Sequence, residues 1–203
     1  MKKVLVIVLC LAMLCTGCSS AWIVTLDSIL AAAAPALVNI LQIVAIANGQ
    51  PVNANLTAKI NTDVADIKAL AADFGKLSSG SGSASGACQQ LQAAVSTYQA
   101  DQQLVLQIAQ VNDPNTQTKI TLLAGLVAGT VDAILAVIPS CQSAGAVRSM
   151  KVAPPLDGAH FSERYNSILA TPTGNGAVDA ATPNLKLHRH STLARAVTFG
   201  RLQ

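Results

Sequence analysis

From Trp22 to Asn48, apolar residues fill almost every position, and Asp27 is the one charge. A helix that is apolar all round has to be enclosed by other elements. This stretch therefore predicts the most buried helix of the fold. Pro35 lies inside it, removes one backbone donor and crowds the preceding turn, which predicts a kink. Asn48-Gly49, followed by Pro51, predicts the stop.

The next three segments are amphipathic. From about Ala54 to Leu77, the residues Leu56, Ile60, Val64, Ile67, Ala71 and Phe74 recur at steps of three and four, which is one stripe at helical period. Lys59, Asp63, Asp66, Lys68 and Asp73 lie mostly off that stripe. Ser78 to Gly86 reads as a flexible connector. It lacks the Lys and the preceding strand of a phosphate loop. From about Ala87 to Val111, Cys88, Leu91, Val95, Tyr98, Val105 and Ile108 share one side. Gln89, Gln90, Gln92, Gln99, Gln103, Gln107 and Gln110 form an uncharged polar side, which reads as a solvated face of good helix formers. Asn112-Asp113-Pro114 marks a turn, with Asp113 as helix cap and Pro114 at the first helical position. The fourth stripe is Ile120, Leu123, Val127, Val131, Ile134 and Ile138, ended by Pro139. Gly125 and Gly129 sit within it, at a spacing that lets two backbones approach.

Each of the four segments is roughly 24 to 27 residues, or about 36 to 40 Å at 1.5 Å per residue. Matched lengths and short connections predict an all-α fold, an up-down-up-down four-helix bundle over residues 22–141 with a kinked, very apolar first helix. Residues 142–203 differ in kind, with seven basic residues against three acidic ones. Residues 18–141 carry four Lys against seven Asp, so charge is split by region. Pro154-Pro155 predicts an extended entry, and Asp157 to Leu169 one short helix. Thr171 to Asn184 is turn-rich, and from Leu185 the pattern alternates as in extended chain. The expectation is a largely irregular basic tail, packed on the bundle or free of it.

Composition changes the picture of what the chain does. It is 51% hydrophobic and only 11% charged, against about a quarter for an ordinary domain. With nine Asp and a single Glu, Glu163, little acid–base chemistry can be assigned. A net charge of +3 does not argue for nucleic acid.

The N-terminus carries the strongest motif. Met1-Lys2-Lys3 is a positive start, and Val4 to Leu14 is an unbroken apolar run of eleven residues. Together with the small residues that follow, this is the secretory pattern. Leu14-Cys15-Thr16-Gly17-Cys18 resembles the lipobox of bacterial lipoproteins, with Cys15 where that class usually has Leu. The resemblance covers the first 20 residues only. It implies cleavage after Gly17, acylation of Cys18 by chains such as palmitate, and membrane lipid as a partner. Ser19 is not the Asp that retains such proteins at the inner membrane, so the resemblance implies the outer membrane. Residues 1–17 are then a signal peptide, and 18–21 a lipid-anchored tether. The competing reading is an uncut anchor over Val4 to Leu26, a poor span because it contains Thr16, Gly17, Ser19 and Ser20.

On this scheme cleavage removes Cys10 and Cys15, lipidation uses Cys18, and Cys88 and Cys141 remain as a pair in an oxidising compartment. The helix map puts them at the open end of one hairpin, where a disulfide closing about 54 residues contributes roughly 4 kcal/mol in the chain-entropy model.

No catalytic residue, metal site or cofactor is assigned. His160, His188 and His190 lie in the tail and make no closed ligand set. Asp27 and Asp132 sit in very apolar helices whose ends coincide in a bundle, so they either approach each other or simply reach solvent. Lys186, Arg189, Arg195 and Arg201 form a basic arm suited to anionic envelope components or to the bundle's own acidic face. The leading expectation is a non-catalytic, lipid-anchored envelope protein with a structural or binding role. The alternatives are a helical-bundle binder of small apolar ligands beside Pro35, and a membrane-inserting hairpin or pore component built from the two most apolar helices.

Overall fold

A computed structural model describes residues 2–78, 84–136 and 157–188. Every regular element among them is helical. The first helix, α1, runs Lys2–Asn48 and continues through Pro35, which is exposed. It ends as its sequence predicts. Gly49 takes the left-handed φ of +62° that few side chains tolerate, its N–H donates to Ile46 O at 3.2 Å, and Gln50 N donates to Ala45 O at 2.9 Å. These two bonds satisfy carbonyls that the helix leaves open.

Helix α2 spans Ala54–Ser78, and Asn53 caps it by accepting from Leu56 N at 3.1 Å. Helix α3 spans Ala84–Ile108, starting three residues earlier than its pattern suggests. Helix α4 spans Pro114–Ala136, with Asp113 accepting from Thr116 N at 2.8 Å and Pro114 in the first turn, where a missing N–H costs nothing. The expected stripes of α2 through Ala71, of α3 through Val105 and of α4 through Ile134 are all buried.

α1 packs against α2 and α4, α2 against α3, and α3 against α4. Lys68 meets Asp27 at 3.2 Å and Lys59 meets Asp101, so α2 runs opposite to both neighbours. Leu26, Ile29, Leu30, Leu37, Ile40 and Ile43 of α1 are almost completely enclosed.

Between Asp157 and His188 the tail is more regular than expected, while residues 142–156 and 189–203 lie outside the described residues. Helix α5, Gly158–Ala170, is the expected short helix, capped by Asp157. The stretch read as turns folds into α6, Gly176–Ala181, and a 3-10 turn, Thr182–Leu185. Asn175 caps α6 through Ala177 N and Val178 N. These pieces form a strap over α1 and α4. α5 lies along α1 in the same direction, since Gly158 N donates to Ser28 Oγ at 2.9 Å and Tyr165 Oη to Ala36 O at 3.4 Å. It runs opposite to α4, whose Lys119 near the start reaches Leu169 O near the end of α5. Phe161 and Tyr165 stack at 6.3 Å and carry the strap's apolar weight. Asn39 Nδ2 donates to Leu185 O at 2.8 Å, and Asn166 exchanges two bonds of 2.8 Å with the backbone of Leu187. The alternation at Leu185 and Leu187 is thus extended chain packed on the body, with Lys186 and His188 outward.

A second correction concerns glycine. Gly125 and Gly129 face outward, and a Cβ on either meets nothing within 4 Å. The close approach occurs at Gly158, where a Cβ lies 2.4 Å from Ser28 O. Gly125→Ala and Gly129→Ala are therefore expected to raise the thermal midpoint by a few degrees, since Gly inside a helix costs about 0.5–1 kcal/mol against Ala. Gly158→Ala lowers it, by an overpacking cost of about 1–3 kcal/mol. Circular-dichroism melts of the three variants check this, and a loss at Gly125 or Gly129 contradicts the outward placement.

Candidate functional site

Among the described residues, two places hold buried charge. The first is the α2–α3 seam. Lys59 Nζ donates to Asp101 and stands 3.7 Å from Asp63 Oδ2. The Asp63 and Asp101 side chains are 12% and 9% exposed, against 49% for Lys59. Asp63 carries the clearest perturbation: loss of solvation, then the carboxyl of Asp101 beside it, pushes it up to about 6. For Asp101, burial also pushes upward, but the bonds from Asp63 and Lys59 outweigh it and hold the group below the usual carboxylate range. The bond to Asp101 holds the Lys59 ammonium above its ordinary value. Tyr98 and Gln102, one turn apart on α3, are fully covered, and burial keeps the Tyr98 hydroxyl protonated. The Tyr98 hydroxyl and both amide atoms of Gln102 are buried with no hydrogen-bond partner.

The second place joins the strap to α4. Lys119 is 3% exposed, its Nζ donates to Leu169 O at 2.9 Å, and Asp179 Oδ1 lies 3.9 Å away. Burial lowers the Lys119 value, and Asp179 opposes that. Asp179 also accepts from Thr173 N at 2.9 Å, Thr173 Oγ1 at 2.8 Å and Gly174 N at 3.0 Å, and these bonds hold it below the ordinary carboxylate range. The polarity is the reverse of a basic tail on an acidic bundle, because here the tail supplies the acid and the bundle the base.

The residues singled out from sequence fall elsewhere. Asp27 pairs with Lys68, and Asp132 accepts from Gln99 Nε2 at 2.8 Å. Each is exposed with its own partner, so the two carboxylates form no shared site. Cys88 is buried and disulfide-bonded. Its expected partner Cys141, the side chain of Cys18, and Arg189, Arg195 and Arg201 lie outside the described residues. Lys186 and His188 are exposed, and His160 contacts Asp157 at 2.9 Å. Among the described residues no three His, Cys, Asp or Glu side chains gather to hold a metal. An open cleft of about 430 Å³ lies at the α1–α2 turn, floored by Leu41, Val44 and Leu56 and rimmed by Asn48, Gln50 and Gln110. It is at the C-terminal end of α1, away from Pro35.

Sequence reasoning passed over Gln102 and Lys119. Each sits where its helix stripe demands an apolar letter: Gln102 between Tyr98 and Val105, and Lys119 next to Ile120 at the start of a stripe. A polar residue in register with a stripe was the signal.

Among the described residues, two helical stretches are long and apolar enough to cross a membrane: Ile23–Asn48, of mean hydropathy 2.2, and Pro114–Ala136, of mean hydropathy 1.7. Their most apolar windows are 61% and 44% buried by the rest of the chain. No protein-family model, curated protein or solved structure matches this chain.

Lys119→Ala is expected to destabilise the fold by about 2 kcal/mol, because it orphans a buried carbonyl and removes a packed stem. Lys119→Met, which keeps the stem, loses less. Hydrogen exchange should speed up in α5 while α2 and α3 stay protected. Equal acceleration in every helix would show that Lys119 supports the whole body and not the strap.

Proposed function

We propose that this chain is a lipid-anchored protein of the cell envelope, acylated at Cys18 and acting by binding or as structure rather than by catalysis. Its body is an up-down-up-down four-helix bundle, α1 to α4, braced by the strap. The single observation that carries this reading is the enclosure of α1. The part of α1 behind the lipobox, Ile23–Asn48, is very apolar, yet α2, α4 and the strap cover most of it. With 61% of that stretch buried by the rest of the chain, little of it is left for lipid, and attachment falls to the acyl chains on Cys18. Helix α4 supports the same view. Lys119 and Asp132 leave twelve uncharged residues between them, Ile120 to Val131. That is about 18 Å of helix, against roughly 30 Å of hydrocarbon.

The body then sits at the outer membrane, in an oxidising compartment. There Cys141 is the partner that remains for Cys88, once the leader has taken Cys10 and Cys15 and the lipid has taken Cys18. Lys186, Arg189, Arg195 and Arg201 supply a basic arm for anionic envelope components. A binder of apolar ligands has less support. Of the small residues expected to leave a gap beside Pro35, Ala32 and Ala33 are packed, Ala31 and Ala34 are half-buried, and Gly125 and Gly129 face outward.

The test is the intact mass of the protein from the membrane fraction of its host. The expected mass is that of residues 18–203 plus acyl chains, rising by about two daltons on reduction of one disulfide. Cys18→Ser should release the protein from the membrane. A full-length mass without lipid overturns the anchor and favours the membrane-inserting reading, in which α1 and α4, which pack together, form the hairpin.

A further inference from the structure

The charges that reach the surface are unevenly placed. Helix α2 exposes Lys59, Asp66 and Asp73, and the strap exposes Glu163, Arg164 and Lys186. Helices α3 and α4 carry Asp101, Lys119 and Asp132 as their only charges. Asp101 is turned to Lys59 of α2, and Lys119 is turned to the strap. Asp132 alone is exposed on the outer side of the hairpin. There Gln99 Nε2 donates to Asp132 Oδ1 at 2.8 Å, so the outer edges of the two helices meet at the surface. Helical period puts Ser96 and Gln103 on the Gln99 side of α3, and Gly125 and Gly129 on the Asp132 side of α4. One continuous face results, with Ser96, Gln103 and Gln107 exposed on α3 and Thr118, Thr121, Leu122, Gly125 and Gly129 exposed on α4. Leu122 is 54% exposed, more than any other large apolar side chain among the described residues. The glycines beside it carry no side chain, so it stands above the α4 surface. Only 44% of the most apolar stretch of α4 is buried by the rest of the chain.

We infer that this outer face of α3 and α4 is where two copies of the chain meet, as a symmetric dimer. The area is sufficient. Two helices about 35 Å long, packed about 10 Å apart, present roughly 700 Å². A standard interface takes about 800 Å² from each partner. The charge selects the partner. An acidic or basic surface laid on this face loses its hydration and finds no counter-charge. The partner is therefore uncharged across the contact, and among the described residues the face itself is the surface of that kind. It is also its own complement, because a two-fold contact sets a patch against the same patch. Carboxylates or ammonium groups paired in that way repel. Amides both donate and accept, so Gln opposite Gln is satisfied in either direction. Leu122, near the middle of α4, supplies the apolar contact. Asp132, one turn from the end of α4, stays at the rim, where charge remains in water. The inference does not depend on the lipid at Cys18.

The test is sedimentation equilibrium of the mature chain carrying Cys18→Ser, from micromolar to several hundred micromolar protein. The expected result is a monomer–dimer equilibrium with no larger species. Its dissociation constant should move by less than about threefold between low and high salt, because no ion pair across the contact is screened. Gln103→Glu keeps the side-chain shape but sets like charges on the α3 side of both copies, and Leu122→Glu does so on the α4 side. Each weakens the dimer by about tenfold or more. Asn61→Glu, exposed on α2, leaves it unchanged. A mass of one chain at every concentration overturns the inference. So does a dimer that Gln103→Glu and Leu122→Glu leave intact, that Asn61→Glu weakens as much, or that high salt dissociates. The first measurement leaves the face unaltered, so a face variant that fails to fold leaves the test standing.

Discussion

Helix α1 has no polar face, and the rest of the molecule is arranged around that constraint. Each large aliphatic side chain it buries is worth roughly 1.5–3 kcal/mol, against about 1 kcal/mol for a typical hydrogen bond. Enclosing Leu26, Ile29, Leu30, Leu37, Ile40 and Ile43 therefore outweighs any polar contact described in the fold. Two amphipathic neighbours leave part of such a helix open, and the strap covers what they leave. Phe161 and Tyr165 supply its apolar contact, and side chains of α1 and α4 grip its backbone. Ser28, Asn39, Asn115 and Lys119 all bond to main-chain atoms of residues 158–185. The aromatic burial gives the strap its affinity, and the backbone bonds give it its register.

The shortage of charge makes each buried charge informative. With 11% charged residues, few charges are available, and among the described residues two joints bury some of them. At the strap, Lys119 meets the carbonyl end of α5, where a cation is favoured by the helix dipole as well as by the hydrogen bond. At the α2–α3 seam, Asp101 is satisfied by Lys59 while Asp63 is not, and that asymmetry raises one carboxyl and lowers the other. Both joints lie between elements that apolar contact alone would allow to slide.

Much of α1 to α4 was legible because periodicity and caps are local signals. Asn48-Gly49 and Asp113-Pro114 each do with their nearest neighbours what their residue types favour. The stripes of α2, α3 and α4 point inward because a helical period can bury only one face. The part of the strap after α5 was illegible for the opposite reason. Residues 171–185, rich in Pro, Gly and Thr, have little intrinsic helicity, and their two short helical pieces persist because Val178, Thr182 and Leu185 are buried against the body. The outward glycines of α4 were misjudged because their spacing says nothing about which face they occupy. The Lys119 and Asp63 sites need tertiary contacts between residues 50 and 38 positions apart in sequence, and no local pattern encodes those.

The same contrast bears on how the protein meets a membrane. Hydropathy alone marks α1 and α4 as spans, since it counts apolar letters without asking what covers them. The covering is the deciding term. A helix already enclosed by its own chain gains little by exchanging protein for lipid, because hydrocarbon is no more apolar than the core it leaves. Insertion of α4 also has to carry Lys119 and Asp132 to the bilayer faces, over a distance its uncharged stretch does not reach. The strap tilts the balance further, because its bonds to Ser28, Asn39, Asn115 and Lys119 are lost on insertion and the bilayer core offers no water to replace them. On the proposed reading, an acyl chain on Cys18, ahead of the buried stretch of α1, meets both demands at once, holding the body at the membrane while Leu26, Ile29, Leu30, Leu37, Ile40 and Ile43 stay packed inside it.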